Sequence, residues 1–214
     1  MSIILCVLIF VAVFIYLGKN PSEGQNAGGI EFPYEMEDGK LVIKSLFEAN
    51  VENPDCNNEI SENIAALEIT NQSEEYCEQA EICLEMQDGK EFKFIVSDLP
   101  PEKTVWAFEI NNSSIESDYF CKDITDKVVF GEKDYMEDIV SFSITDTTIT
   151  IQNNTNEELT DILLKCHCLF DEVYFGGITY EYPVSTIPAN GQIVVDAVDC
   201  FMGTAEVVGI IKDE

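Results

Sequence analysis

Two stretches of the chain align with each other without a gap, LEITNQSEEYCEQAEICLEM from Leu67 and ITIQNNTNEELTDILLKCHCLF from Ile149. A self-similar segment restricts the fold to an architecture that can be built twice. Ile69 falls on Ile151, Asn71 on Asn153, Ser73 on Thr155 and Cys77 on Leu159. Ala80 then falls on Ile162, Ile82 on Leu164, Leu84 on Cys166 and Met86 on Cys168. Apolar residues alternate on either side of a polar Asn-centred group, which is the pattern of strand, turn, strand. Asn and Ser or Thr side chains bond nearby backbone groups and stabilise the reversal. Downstream, Leu99-Pro100 matches Ile187-Pro188, and each is followed by another apolar run, Val105 to Phe108 and Ile193 to Val198. The copies lie about 82 to 88 residues apart, and the second carries about six extra residues in its hairpin.

Units of that size, made of short alternating strands and spaced turns, predict an all-β protein of two tandem small immunoglobulin-like β-sandwich modules. The expected modules are residues 30–126 and 127–214. Asp88-Gly89 and Asp38-Gly39 suit tight hairpin turns, and Val128 to Phe130 reads as a last or first strand rather than free linker. The pattern resembles the FxLYD domains, small bacterial extracytoplasmic sandwiches in which an Asn-centred turn precedes a strand ending in that motif. Leu84, Met86, Gln87 and Asp88 hold the motif position in the first copy, with the aromatic positions lost and the Asp kept. Cys166, Cys168 and Phe170-Asp171 hold it in the second. The resemblance covers most of residues 60–210, implies an extracytoplasmic interaction module, and carries over no catalytic residue.

Ahead of the repeat, Ile3 to Leu17 is apolar all round, with no polar face of the kind a core helix shows. With Ser2, Gly18 and the stem of Lys19 it reaches the length of a short membrane span. A cleaved secretory signal would want a cationic start and a small-residue cleavage site, and neither is present. The expectation is therefore an uncleaved transmembrane signal-anchor helix over residues 1–19, in contact with the lipid bilayer through residues 3–18. A flexible linker, GKNPSEGQNAGG in composition, follows over residues 20–29. Lys19 on the C-terminal flank favours a cytoplasmic body by the positive-inside rule, whereas the FxLYD resemblance favours an extracytoplasmic one, a single pass at the cell membrane with the body outside.

The 11 Lys and Arg against 41 Asp and Glu leave a net charge of −30, which repels polyanions and argues against nucleic acid as a partner. Acidity of this order is first of all a solvated surface. Eight cysteines invite metal or disulfide readings, but Cys6 lies in the apolar segment and seven cannot all pair within one chain. On a strand, Cys166 and Cys168 face one way and His167 the other, so the two thiols read as small core residues rather than as a zinc site. His167 is the only histidine, and no phosphate loop or EF-hand spacing is present. The sequence points to no catalytic residue, no cofactor and no metal. One stretch suits recognition: Glu172 to Pro183, EVYFGGITYEYP, whose Tyr174, Phe175, Tyr180 and Tyr182 are candidate partner contacts. The bland reading of the same residues is ordinary strand alternation around a Gly176-Gly177 turn or bulge. The function expected is a non-catalytic, membrane-anchored interaction or scaffold module with an envelope protein as partner. The alternative is a ligand- or cation-binding sensor that uses the acidic surface or the Tyr-rich hairpin.

Overall fold

The structure, a computed structural model, describes residues 29–116, 120–132, 136, 138–200 and 203–212. The expected anchor and all but the last residue of the expected linker lie outside these. Among the described residues no helix is long and apolar enough to cross a membrane.

The described chain is all-β. Its strands are β1 (Tyr34–Met36), β2 (Leu41–Asn53), β3 (Glu59–Asn71), β4 (Tyr76–Met86), β5 (Glu91–Leu99), β6 (Thr104–Phe108) and β7 (Cys121–Gly131). They continue as β8 (Val140–Thr145), β9 (Thr148–Asn153), β10 (Leu159–Phe170), β11 (Val173–Phe175), β12 (Tyr180–Ile187), β13 (Gln192–Asp196) and β14 (Thr204–Lys212). The expected turns form as read: Asp38 and Gly39 close the link from β1 to β2, and Gly89, at φ +84°, closes β4 onto β5. Both need the left-handed region, where Gly is at home and Asp is tolerated.

The repeat is visible in the pairing register. Ile43 pairs Ile69 and Ile69 pairs Val105, just as Phe142 pairs Ile151 and Ile151 pairs Ile193. Cys77 pairs Leu99 and Ile82 pairs Asp126, matching Leu159 with Ile187 and Leu164 with Ile210. The strand order β5-β4-β7 thus recurs as β12-β10-β14, and β2-β3-β6 recurs as β8-β9-β13. Strand β7 crosses the expected 126/127 division, because it pairs with β4 along its whole length.

At the corner of each copy one buried Asn does the same work. Asn71 accepts from the Ser73 N–H (3.1 Å) and hydroxyl (2.7 Å) and donates to the carbonyls of Glu75 (2.9 Å) and Leu99 (3.0 Å). Asn153 accepts from the Thr155 N–H (2.9 Å) and hydroxyl (2.8 Å) and donates to Glu157 (2.7 Å), Ile187 (3.2 Å) and Pro188 (3.0 Å). Both Asn side chains are fully buried, so truncation strands several polar groups at once. Asn71→Ala and Asn153→Ala should each cost about 2 kcal/mol, by near-equal amounts in urea denaturation. A large inequality between them would break the equivalence of the two corners.

The copies do not sit side by side as separate bodies. Strand β6 of the first pairs in parallel with β11 of the second, so one sheet runs β1-β2-β3-β6-β11-β10-β12, with β14 on the other side of β10. The two three-stranded sheets cover opposite faces of it. Successive strand residues point to opposite faces: Val105, Ala107 and Tyr174 enter a core under β5-β4-β7, while Phe108 and Phe175 enter one under β13-β9-β8. Strand alternation predicted the inward positions well: Cys77, Ala80, Ile82, Leu84 and Met86 are buried, as are Ile162, Leu164, Cys166 and Cys168. The long β2–β3 hairpin reaches across the join, where its Ala49, Val51, Ile64 and Ala66 pack in the second core.

Candidate functional site

The densest grouping of polar chemistry lies along this join. Asp55, in the turn between β2 and β3, is 8% exposed and its carboxyl faces backbone donors from both copies. Oδ2 accepts from Phe108 N–H (2.8 Å) and Gly177 N–H (2.8 Å), and Oδ1 from Ile178 N–H (3.0 Å). Its own N–H donates to Asn53 Oδ1 (2.9 Å), and Asn53 in turn donates to the Glu109 carbonyl (2.9 Å). Burial pushes the Asp55 carboxyl up to about 6, against the pull of the three N–H donors.

A second group joins β5 to β10 and the loop before β12. Thr179 N–H donates to Ser97 Oγ (2.8 Å), Ser97 N–H donates to the Gly177 carbonyl (2.9 Å), and Thr179 Oγ1 donates to the Ser97 carbonyl (3.1 Å). His167 Nε2 lies 2.8 Å from that same carbonyl. A carbonyl only accepts, so Nε2 carries the hydrogen. The imidazole stacks on Tyr174, centroids 4.5 Å apart and planes 9° from parallel. Tyr174 hydroxyl donates to Glu206 (2.9 Å), which also takes Lys103 (2.7 Å). Lys165 reaches Asp98 (3.2 Å) close by. Tyr76 hydroxyl donates to the Val208 carbonyl (2.8 Å) at the far end. Each of these contacts ties the first copy to the second, except those of Tyr174 to His167 and to Glu206.

Burial lowers the His167 pKa below its ordinary value. The unfolded chain takes up a proton below about pH 6.5 while the folded one stays neutral, so this residue costs stability as pH falls through that value. Asp55 works oppositely: its raised folded pKa favours the native state as pH falls from about 6 toward 3.8. His167→Gln, whose amide can still donate to the Ser97 carbonyl, should therefore lose less stability than the wild type between pH 6.5 and 5, read as a flatter slope of unfolding free energy against pH.

The aromatic candidates are split. Tyr174 and Phe175 form most of β11 and are buried, Tyr174 against β6 and Phe175 against Phe108 at 5.0 Å between centroids. Tyr180 and Tyr182 lie on β12, half-buried against the second core, and Tyr182 donates to Asp199 (2.8 Å). The four do not meet on one surface; two of them are the splice between the copies. The extra residues of the second hairpin are this splice, and Gly176-Gly177 is its turn. Sequence reading missed Asp55, Ser97 and Thr179. The only local mark of Asp55 is Asn-Pro-Asp, which reads as any turn.

The seven cysteines of the described residues carry free thiols. Cys200 bonds the Cys168 thiol, and that contact, with burial, holds the Cys200 pKa far above the usual range. Burial also pushes the Cys166 thiol up to about 12. Thiols held protonated are poor nucleophiles and poor metal ligands, and among the described residues no three His, Cys, Asp or Glu are placed to hold a metal. One open depression of about 400 Å³ lies beside the Asp88-Gly89 turn, with Met86, Phe92 and Phe120 on its wall. Lys90 crosses it, its ammonium 4.9 Å from the Phe92 ring centre and bonded to the Ser114 carbonyl.

The class that the fold defines is an all-β protein. No protein-family profile matches the chain, and no curated protein sequence matches it.

Proposed function

We propose that the protein is a non-catalytic, membrane-anchored extracytoplasmic interaction or scaffold element of the cell envelope. Its body would be two tandem immunoglobulin-like modules of FxLYD type, fused through a shared sheet behind an N-terminal transmembrane helix. The observation that carries this reading is the join itself. Its carboxylates, hydroxyls and imidazole are spent on bonds between the copies, as expected of a rigid spacer that presents its outer edges at a fixed angle. The apolar segment at residues 3–18 and the Gly- and Asn-rich stretch after it would set that spacer off a bilayer.

Cys56 and Cys83, both half-buried, offer a direct test. A membrane-impermeant thiol reagent applied to intact cells should label the full-length chain to the same extent as after lysis. Labelling only after lysis would put the body in the cytoplasm and end the envelope reading. The second reading, a cation-binding sensor, draws on the net charge of −30 and on the depression with Asp88 and Glu116 at its rim. A saturable rise in melting temperature with calcium would favour it, since a ligand bound only by the native state adds to stability.

A further inference from the structure

We propose that the outer edge of β13 is a docking site for an extended segment of a partner protein, taken up as a parallel strand with basic residues at its ends. This rests on the interaction reading above and names where the interaction occurs.

The repeat supplies the argument. Strand β13 is the counterpart of β6: Ile193 pairs Ile151 as Val105 pairs Ile69. In the first copy the far edge of β6 is filled, with Tyr174 and Phe175 of β11 set in parallel against Val105 and Trp106. Gly176 N–H adds a bond to the Trp106 carbonyl (3.0 Å). In the second copy, among the described residues, the sheet ends at β13 in the order β13-β9-β8. The same edge that takes a strand in one copy is open in the other.

The side chains agree. Trp106 is half-buried beneath Phe47 and Phe170, at 6.3 and 6.5 Å between centroids. Its counterpart Val194 is 57% exposed, and Val198 just beyond the strand is 65% exposed. Edges left free to solvent are commonly blunted by Lys, Pro or a bulge. Strand β13 reads Gln-Ile-Val-Val-Asp, with neither Lys nor Pro, and pairs with β9 without a register break. An added strand gains main-chain hydrogen bonds from the edge and selectivity from side chains that alternate across it.

The charge argues for what occupies the edge. Strands β8, β9 and β13 contain no Lys or Arg, Asp196 closes β13, and Asp146 sits in the β8–β9 turn. A second copy of the chain brings another −30 of charge, and its own β11 is engaged by its own β6. A heterologous segment with an aromatic or branched centre and basic ends suits both the apolar Val194 and the acidic flank.

The test uses the full chain in detergent micelles and a synthetic peptide, Lys-Lys-Val-Tyr-Phe-Lys-Lys, which carries the β11 triplet between lysines. With a Kd of about 1 mM, the peptide at about 10 mM should slow hydrogen exchange of the β13 amides that do not bond β9 by about tenfold. The protection should weaken as salt is raised. A peptide with Asp in place of each Lys should protect far less. Val194→Lys changes an exposed side chain and should leave the melting temperature unchanged while removing the protection. The proposal is overturned if the β13 amides that do not bond β9 are already protected without peptide, which would mean that the chain covers its own edge. It is equally overturned by concentration-dependent dimerisation that protects β13, by protection confined to other strand edges, or by none. Failure here with the thiols labelled in intact cells would sink this site alone, whereas labelling only after lysis would sink the envelope reading whatever the peptide does.

Discussion

Asp55→Ala should lower stability by about 3–5 kcal/mol, because three backbone N–H groups lose their acceptor inside a closed join. The donors come from Phe108 on β6 and from Gly177 and Ile178 in the loop after β11, so neither copy can re-satisfy them alone. For a chain of this size the loss corresponds to a fall of about 10 °C in melting temperature. Asp55→Asn separates geometry from packing. The amide keeps the shape but turns one donor toward N–H groups, so it should recover less than half of the loss. The pH dependence adds a second reading: with its carboxyl held up to about 6, wild-type Asp55 favours the native state more at pH 4.5 than at pH 7. The Asn penalty should accordingly grow on acidification. A variant as stable as the wild type at both pH values would remove Asp55 from the role of clamp.

Gly177→Ala should cost about 4 kcal/mol, the sum of overpacking and broken bonds. A Cβ there would stand 2.1 Å from the Ile95 carbonyl oxygen and 3.0 Å from Ala107 Cβ. The obstruction is backbone, so the loop after β11 and strand β5 must part. Parting them also loosens the bond from Ser97 N–H to the Gly177 carbonyl (2.9 Å) and that from Gly177 N–H to Asp55 (2.8 Å). Gly89→Ala is the control. Its Cβ meets nothing within 4 Å, so only the positive φ is strained and the cost should be about 1 kcal/mol. Because Asp55 and Gly177 share a bond, the double variant should lose less than the two single losses combined, by about 1 kcal/mol or more. Strict additivity in chemical denaturation would mean that the two do not act at one point.

Several elements were legible residue by residue. Alternation from Cys77 to Met86 and from Ile162 to Cys168 named the buried face of β4 and β10, and the thiols at Cys166 and Cys168 proved to be core, as their strand positions implied. His167, read as facing away from them, does so. The Tyr-rich hairpin illustrates the limit. Its aromatic content fits an exposed contact surface and a buried splice equally well, and only the presence of β6 beside it puts Tyr174 and Phe175 inside.

The sequence by itself determined the strands, the Asp-Gly turns and the two Asn corners, because each depends on neighbours a few positions away: Asn71 reaches Glu75 and Asn153 reaches Glu157, both four residues on. The tertiary structure alone decided that two copies share one sheet and are clamped across it. Asp55 meets Gly177 across 122 residues and His167 meets the Ser97 carbonyl across 70. Nothing in local periodicity marks such partners. A carboxylate in a turn is ordinarily solvated, and it becomes a clamp only when folding removes water and brings three N–H groups to it.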